Sequence, residues 1–374
     1  MKAVLIENAK RIVVKVGTSL LTGSDGLLDP AAIDRLAAGI GRVVHDDRQV
    51  LVVSSGAIGA GLAPLGLKSR PRTLPLNQAA AAVGQSALME AWRGAFGREG
   101  IIVAQLLLTR DGLSDRKRYL NARNTVTALL DHGVVPIINE NDTVSVDEIR
   151  FGDNDMLSAL VANLADADLL VVLTDVPGLM TGDPRTDNEA RLISSVDVIT
   201  PRIEEIVARG ASNVGVGGGM RSKIEAARIM LEVGVPCVIA DGRDEDPLGR
   251  IFDGEEIGTV FAGPAGPMSA RRRWIAFTHG PSGDVIVDEG ARAALVEHQK
   301  SLLPSGVVDA SGDFHAGDTV RIVVEGQGEF ARGIVNFSTD EVLRLAGAGT
   351  DEIEARLGAR TFDEVVHRDN LVVL

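Results

Sequence analysis

Aromatic side chains are almost missing from this chain. Only 3% of its 374 residues are Phe, Trp or Tyr, so the core must be built from Val, Leu, Ile and Ala. Cysteine is scarcer still: Cys237 stands alone, which rules out a disulfide framework within one chain. Inside the apolar run Val235-Pro236-Cys237-Val238-Ile239 it reads as a core strand residue rather than a nucleophile. The six histidines (45, 132, 279, 298, 315 and 367) show no ligand-like spacing, which argues against a structural zinc or iron site. No apolar run approaches the roughly 18 residues of a membrane span, and no long apolar segment follows the N-terminal charges. The expectation is a soluble, cytoplasmic protein. Positive charge is in deficit, with 38 Lys and Arg against 52 Asp and Glu and a net charge of −14. Such a balance argues against nucleic acid or an anionic membrane as the main partner.

What is present suits a large α/β protein. The length suggests about two domains, and 45% apolar residues are ample for a core. Forty-two glycines imply many tight turns and close backbone approaches. Apolar runs of strand length at 11–16, 49–54, 101–108, 134–138 and 169–173 alternate with helical patterns. The reading is a mainly parallel sheet with helices on both faces, a three-layer α/β/α sandwich. The stretch Ala262–Ala270, AGPAGPMSA, is small-residue and proline-rich, and 264–280 reads as a linker between 1–263 and 281–374. Beyond it, short apolar runs separated by glycine turns indicate a small β-rich domain. That last segment carries 8 Lys and Arg against 17 Asp and Glu, a net of −9.

The chemistry concentrates between Pro136 and Leu160. Asn139-Glu140-Asn141-Asp142 closes a strand, and Gly152-Asp153-Asn154-Asp155 opens a helix with Leu157, Leu160, Val161 and Leu164 on one face. Strand carboxyl ends and helix N-termini are where open α/β sheets bind ligands. Taken singly, each cluster reads as readily as a solvated loop or an N-cap. Lys15 interrupts the first strand. It either faces a ligand or extends its ammonium to water along Gly17-Thr18-Ser19. Ser54-Ser55-Gly56-Ala57 sets hydroxyls and small residues at a strand-to-helix junction, where main-chain amides lie open to a ligand. Gly215 to Gly219 run through Met220-Arg221-Ser222-Lys223 into a helix expected over Ile224–Val233, an arrangement suited to polyphosphate. No Gly-Lys-Ser/Thr follows, so this is no Walker-type loop. Lysines, glycines, carboxylates and amides in these places point to phosphoryl transfer.

In order along the chain, Val14-Lys15-Val16-Gly17-Thr18-Ser19, Ser54-Ser55-Gly56-Ala57, Leu120-Asn121-Ala122-Arg123, Ile138-Asn139-Glu140-Asn141-Asp142, Gly152-Asp153-Asn154-Asp155, Thr174-Asp175 and Gly218-Gly219-Met220-Arg221-Ser222-Lys223 closely resemble the bacterial glutamate 5-kinases of the amino-acid kinase superfamily. Residues 281 to about 360 resemble a PUA domain. The resemblance implies transfer of the γ-phosphoryl group of MgATP to the side-chain carboxylate of L-glutamate, the first step of proline biosynthesis. It implies Lys15 and Lys223 on the phosphoryl oxygens, with Asp155 organising them. Ser55, Asp142 and Asn154 would bind glutamate, with Asp142 taking its α-ammonium. Lys15, Thr174, Asp175, Gly217, Gly218, Gly219, Met220, Arg221, Ser222 and Lys223 would line the ATP site. Mg²⁺ would travel on the phosphates, without a set of protein ligands. Homo-oligomers, dimeric or tetrameric, and feedback inhibition by proline are implied as well. Two positions depart from the family: Gly217 replaces a common threonine, and Met180 stands where an aromatic is frequent. Rival readings are another superfamily member acting on aspartate, acetylglutamate, carbamate or a nucleoside monophosphate, and an RNA-binding role for the last domain. Asp142 favours a free amine over an acetylated one, and the acidity of 281–374 disfavours RNA.

Overall fold

The structure, a computed structural model, describes residues 2–23, 26–145, 154–182, 187, 189–210, 219–263, 281–358 and 362–374. The chain divides into two compact units, Met1–Pro267 and Met268–Leu374. The linker expected at 264–280 lies outside the described residues, as do Gly152, Asp153, Gly217 and Gly218.

The first unit runs α1 (Lys2–Glu7), β1 (Arg11–Val16), α2 (Thr18–Leu21), α3 (Pro30–His45), β2 (Gln49–Ser54), α4 (Ala57–Leu62), α5 (Leu74–Arg98), β3 (Val103–Leu108), α6 (Arg110–Ser114), α7 (Arg116–Asp131), β4 (Val135–Glu140), α8 (Asn154–Leu164), β5 (Leu169–Thr174), β6 (Ser195–Val196), α9 (Pro201–Gly210), α10 (Met220–Val233), β7 (Cys237–Asp241), α11 (Pro247–Phe252) and β8 (Thr259–Phe261). Its sheet has the order β3-β4-β2-β1-β5-β7-β8-β6. Every neighbouring pair is parallel except β7 with β8. The parallel strands therefore deliver their carboxyl ends to one edge, and the candidate site gathers there.

Alternation along β1 divides the unit into layers. Ile12, Val14 and Val16 join the core formed with Ile33, Leu36 and Ile40 of α3 and Leu88, Trp92 and Phe96 of α5. Val13 and Lys15 face the other way, the side on which Lys15 meets α8. Helix α3 starts where the sequence supplies a cap: the Asp29 carboxylate accepts from the Ala31 and Ala32 amides, and Pro30 takes the first turn. Helix α8 is more deeply set than its expected apolar stripe. Asp155 and all eight residues from Leu157 to Leu164 are buried, so no face of it is left to water.

Several boundaries differ from those read in the sequence. Helix α10 begins at Met220, so Lys223 sits in its first turn rather than before it. Strand β3 begins at Val103, and β4 continues through Asn139 and Glu140. The glycines after Ser55 also serve packing. A Cβ on Gly61 would come within 1.9 Å of the Ala80 carbonyl oxygen, and one on Gly84 within 1.9 Å of the Ala57 carbonyl oxygen. Helices α4 and α5 cross backbone to backbone at these two points.

The second unit runs β9 (Gly283–Val287), α12 (Glu289–Val296), β10 (Val307–Gly312), β11 (Thr319–Val324), β12 (Glu329–Ile334), α13 (Thr339–Leu345), α14 (Ile353–Leu357) and β13 (Leu371–Val373). Its strands form a separate sheet of order β10-β9-β11-β12-β13. Val285, Val287, Phe314, Val320, Ile322, Phe337 and Val342 belong to its own core. Among the described residues, no helix of the chain is long and apolar enough to cross a membrane.

Candidate active site

The centre of the site is one carboxylate held by two lysines distant in sequence. Lys15 from β1 places Nζ 2.5 Å from Asp155 Oδ1, and Lys223 from α10 places Nζ 3.0 Å from Oδ2. The carboxylate is fully buried, and both lysines are 4% exposed. Burial of charge on this scale is tolerable only with such pairing. Burial alone would raise the Asp155 pKa. The charges of Lys15 and Lys223 and the hydrogen bonds from Lys15 and Ser222 outweigh it and hold the group below the ordinary carboxylate range. The Lys15 ammonium turns to Asp155 rather than to bulk water.

Beside this cluster a chain of amides ties four elements together. Asn154, at the start of α8, donates from Nδ2 to the Ser54 carbonyl (3.1 Å), Ser55 Oγ (2.8 Å) and Asn139 Oδ1 (3.0 Å). Asn139 in turn donates from Nδ2 to Gln85 Oε1 of α5 at 2.8 Å, and its Oδ1 accepts from the Glu140 amide at 2.9 Å. Two main-chain groups fix the polarity of the whole chain, since the Ser54 carbonyl can only accept and the Glu140 N–H can only donate. The nitrogen of Asn154 is thereby committed to protein acceptors. Its Oδ1 is the atom it can offer to a donor. Ser55 is held in turn by its own amide, which donates to the Val16 carbonyl at 3.2 Å. Gly56 makes the next turn at φ +101°, a conformation open to glycine, and sends the chain into α4.

Asp142 stands in the turn after β4, half-buried. Burial and the neighbouring Glu140 charge push its pKa up to about 6, against a smaller lowering by Arg70. Glu140 is itself raised by burial, opposed by a 2.8 Å hydrogen bond from Ser145 Oγ.

At the next strand ends, Thr174 is buried and donates to Asp175 Oδ1 at 3.2 Å. Across the register from Thr174 lies Asp241 of β7. Its carboxylate receives Arg243 at 3.0 and 2.6 Å, and the same guanidinium donates to the Asp175 carbonyl at 2.6 Å. Gly219 caps α10, with Met220, Arg221, Ser222 and Lys223 in the first turn. Met180 forms an isolated bridge with Leu192. Gln85, Asp241 and Arg243 were not singled out from the sequence. A strand-end rule applied to β7 would have found Asp241; only the lone amide inside the Ala-rich α5 pattern marks Gln85. Cys237 is fully buried in β7, and burial together with the Asp155 charge raises its thiol pKa, which fits an inert core residue.

Among the described residues, no group of three or more His, Cys, Asp or Glu stands ready to hold a metal ion. Both oxygens of Asp155 already face Lys15, Lys223 and Ser222.

The amino acid kinase family model matches residues 10–241, and the PUA domain model matches 283–357. A glutamate 5-kinase of Geobacter sp. (strain M21) is 48% identical over 374 residues, covering 100% of both chains. That of Syntrophotalea carbinolica is 49% identical over 373 residues, again covering 100% of both. Among solved structures, the chain is similar to UMP kinase from Bacillus anthracis at 17% identity and a TM-score of 0.49, over 69% of this chain and 97% of that one.

Proposed function

The chain belongs to the amino acid kinase family, and from that premise we propose that it transfers the γ-phosphoryl group of ATP to the side-chain carboxylate of L-glutamate, the first step of proline biosynthesis. The observation that carries this reading is the buried Lys15–Asp155–Lys223 cluster at the strand ends, set beside an amide chain suited to a free amino acid. The full-length likeness to glutamate 5-kinases supports the choice of acceptor.

The acceptor carboxylate has an ordinary pKa near 4.3, so at neutral pH it needs no general base. A carboxylate oxygen forms the new P–O bond, the bond to the ADP oxygen breaks, and no proton has to move. The barrier to overcome is the repulsion between two anions. Lys15 and Lys223 place positive charge on the phosphoryl oxygens, and Asp155, ionised and fixed, keeps the lysines apart and oriented. Magnesium enters as part of the MgATP substrate and neutralises further phosphate charge. Asn154 Oδ1 and the Asp142 carboxylate, both acceptors, receive the α-ammonium. Ser55 and nearby amides receive the α-carboxylate. Thr174, Asp175, Gly219, Met220, Arg221 and Ser222 line the nucleotide site in this reading, together with Gly217, Gly218 and the two lysines, Lys15 and Lys223.

Residues 1–263 form the catalytic part in this reading, and 281–374 a stabilising or regulatory appendage. A cytoplasmic homo-oligomer inhibited by proline completes the proposal, resting on the resemblance of its motifs. Hydroxylamine trapping of an acyl phosphate across a panel of glutamate, aspartate and acetylglutamate tests the central claim. A trapped product with glutamate alone is expected; none with glutamate overturns it. The same assay with added proline tests inhibition.

A further inference from the structure

We propose that Gln85 is a positioning residue for recognition of the amino-acid substrate: without touching it, Gln85 holds the Asn139 amide, which in turn aims Asn154 Oδ1 at the α-ammonium. The inference rests on the reading of Asn154 given above. Gln85 lies on α5, away from the strand ends that supply most of the site. Its neighbour Gly84 sits against the Ala57 carbonyl, which fixes the helix at this point to the segment following Ser55. Seven residues further on, and so on the same face, Trp92 donates from Nε1 to Ser54 Oγ at 2.9 Å, and that hydroxyl donates to the Ser55 carbonyl at 3.1 Å. Helix α5 therefore grips the amide chain at two points, Ser54 through Trp92 and Asn139 through Gln85.

The Glu140 N–H can only donate, so Asn139 presents Oδ1 to it and Nδ2 to Gln85, and Gln85 must answer with its oxygen. Gln85 Nε2 is buried and has no hydrogen-bond partner among the described residues. The oxygen is thus the half of this amide that the protein uses. A buried donor without an acceptor carries a cost, and a methionine would fill the same place in the Ala-rich helix without it. What methionine cannot supply is the acceptor for Asn139. Without Oε1, Asn139, itself 3% exposed, keeps a buried donor unpaired. Turning its amide toward another acceptor takes Oδ1 away from Asn154 Nδ2, now 3.0 Å distant. Asn154 is then held by the Ser54 carbonyl and Ser55 Oγ alone, and the Oδ1 offered to the substrate shifts with it.

The test uses the full chain with Gln85→Met, close in shape but without the acceptor, and Gln85→Glu, whose carboxyl oxygen can accept from Asn139 in either protonation state. Q85M is expected to raise KM for glutamate about tenfold while kcat and KM for ATP stay within about twofold. Q85E should restore most of the affinity. If Gln85 acts through Asn139, Q85M should add little to KM for glutamate in an Asn139→Ala background. Gln85→Ala replaces Q85M if the methionine variant does not fold. An unchanged KM for glutamate in the acceptor-less variant overturns the proposal. So does an equal rise in KM for ATP, Q85E behaving like Q85M, or strict additivity with N139A. Glutamate binding is also read without turnover, as the rise in thermal midpoint that glutamate causes in the absence of ATP. If the wild type shows that rise but forms no glutamyl phosphate, the reaction assigned above fails, and loss of the rise in Q85M but not in Q85E still upholds the role of Gln85. No rise in the wild type overturns both.

Discussion

Two cations converge on one anion at the heart of this site, and each of the three charges is buried in the folded chain. The cluster carries a net positive charge, which suits a step that brings a phosphoryl group and a carboxylate together. Removing Lys223 takes one of the two lysines from Asp155 and, in the proposed reaction, one positive charge from the transition state. We expect Lys223→Ala to lower kcat by about a hundredfold or more, with the fold retained by circular dichroism and KM for glutamate little changed. Asp142 behaves differently because burial and Glu140 raise its pKa to about 6. Above that pH it is ionised and can accept an α-ammonium; below it the carboxyl is protonated and cannot pair. The value of kcat/KM for glutamate should therefore fall about tenfold between pH 7 and pH 5. Asp155, held below the ordinary range, remains ionised across that window. Asp142→Asn should flatten this limb, and a limb that survives the substitution would remove Asp142 from substrate recognition.

At the scale of elements, α4 and α5 cross with main chain against main chain at Gly61 and Gly84. Gly84 faces the Ala57 carbonyl so closely that any side chain must push one helix off the other. Gly84→Ala is expected to destabilise by about 3 kcal/mol, visible as a lower thermal midpoint. Gly97→Ala, on the same helix where a Cβ would meet nothing within 4 Å, should be neutral or stabilise by up to about 1 kcal/mol. The sequence made part of this architecture legible. Apolar runs marked the four strands at 11–16, 49–54, 135–140 and 169–174, because a buried parallel strand is apolar on both faces; the run at 103–108 forms an edge strand with no buried residue. The clusters around Asp142 and Asp155 stood out because charge beside such runs is rare. The amide chain through Gln85 did not, since its members lie on α5, β4 and α8 and meet only by folding. The role of Gly61 was equally hidden: in sequence, a glycine near a hydroxyl looks the same whether it admits a ligand or another helix.

On the scale of the molecule, the two units have separate sheets and separate cores. A chain ending at residue 263 should accordingly retain glutamate-dependent phosphorylation, and loss of all activity in a soluble, folded truncation would tie catalysis to the second unit. Residues 281–374, most of the second unit, carry a net charge of −9. At physiological salt it should not retard RNA in a gel. The same acidity bears on how substrates find the site. A pair of cations sealed inside a molecule of net charge −14 is shielded from view at a distance, while the outer surface repels both ATP and glutamate. The protein therefore captures its anions at close range rather than drawing them in from bulk solution. Moderate salt, which slows enzymes that depend on long-range attraction, should leave its encounter rate unchanged or raise it.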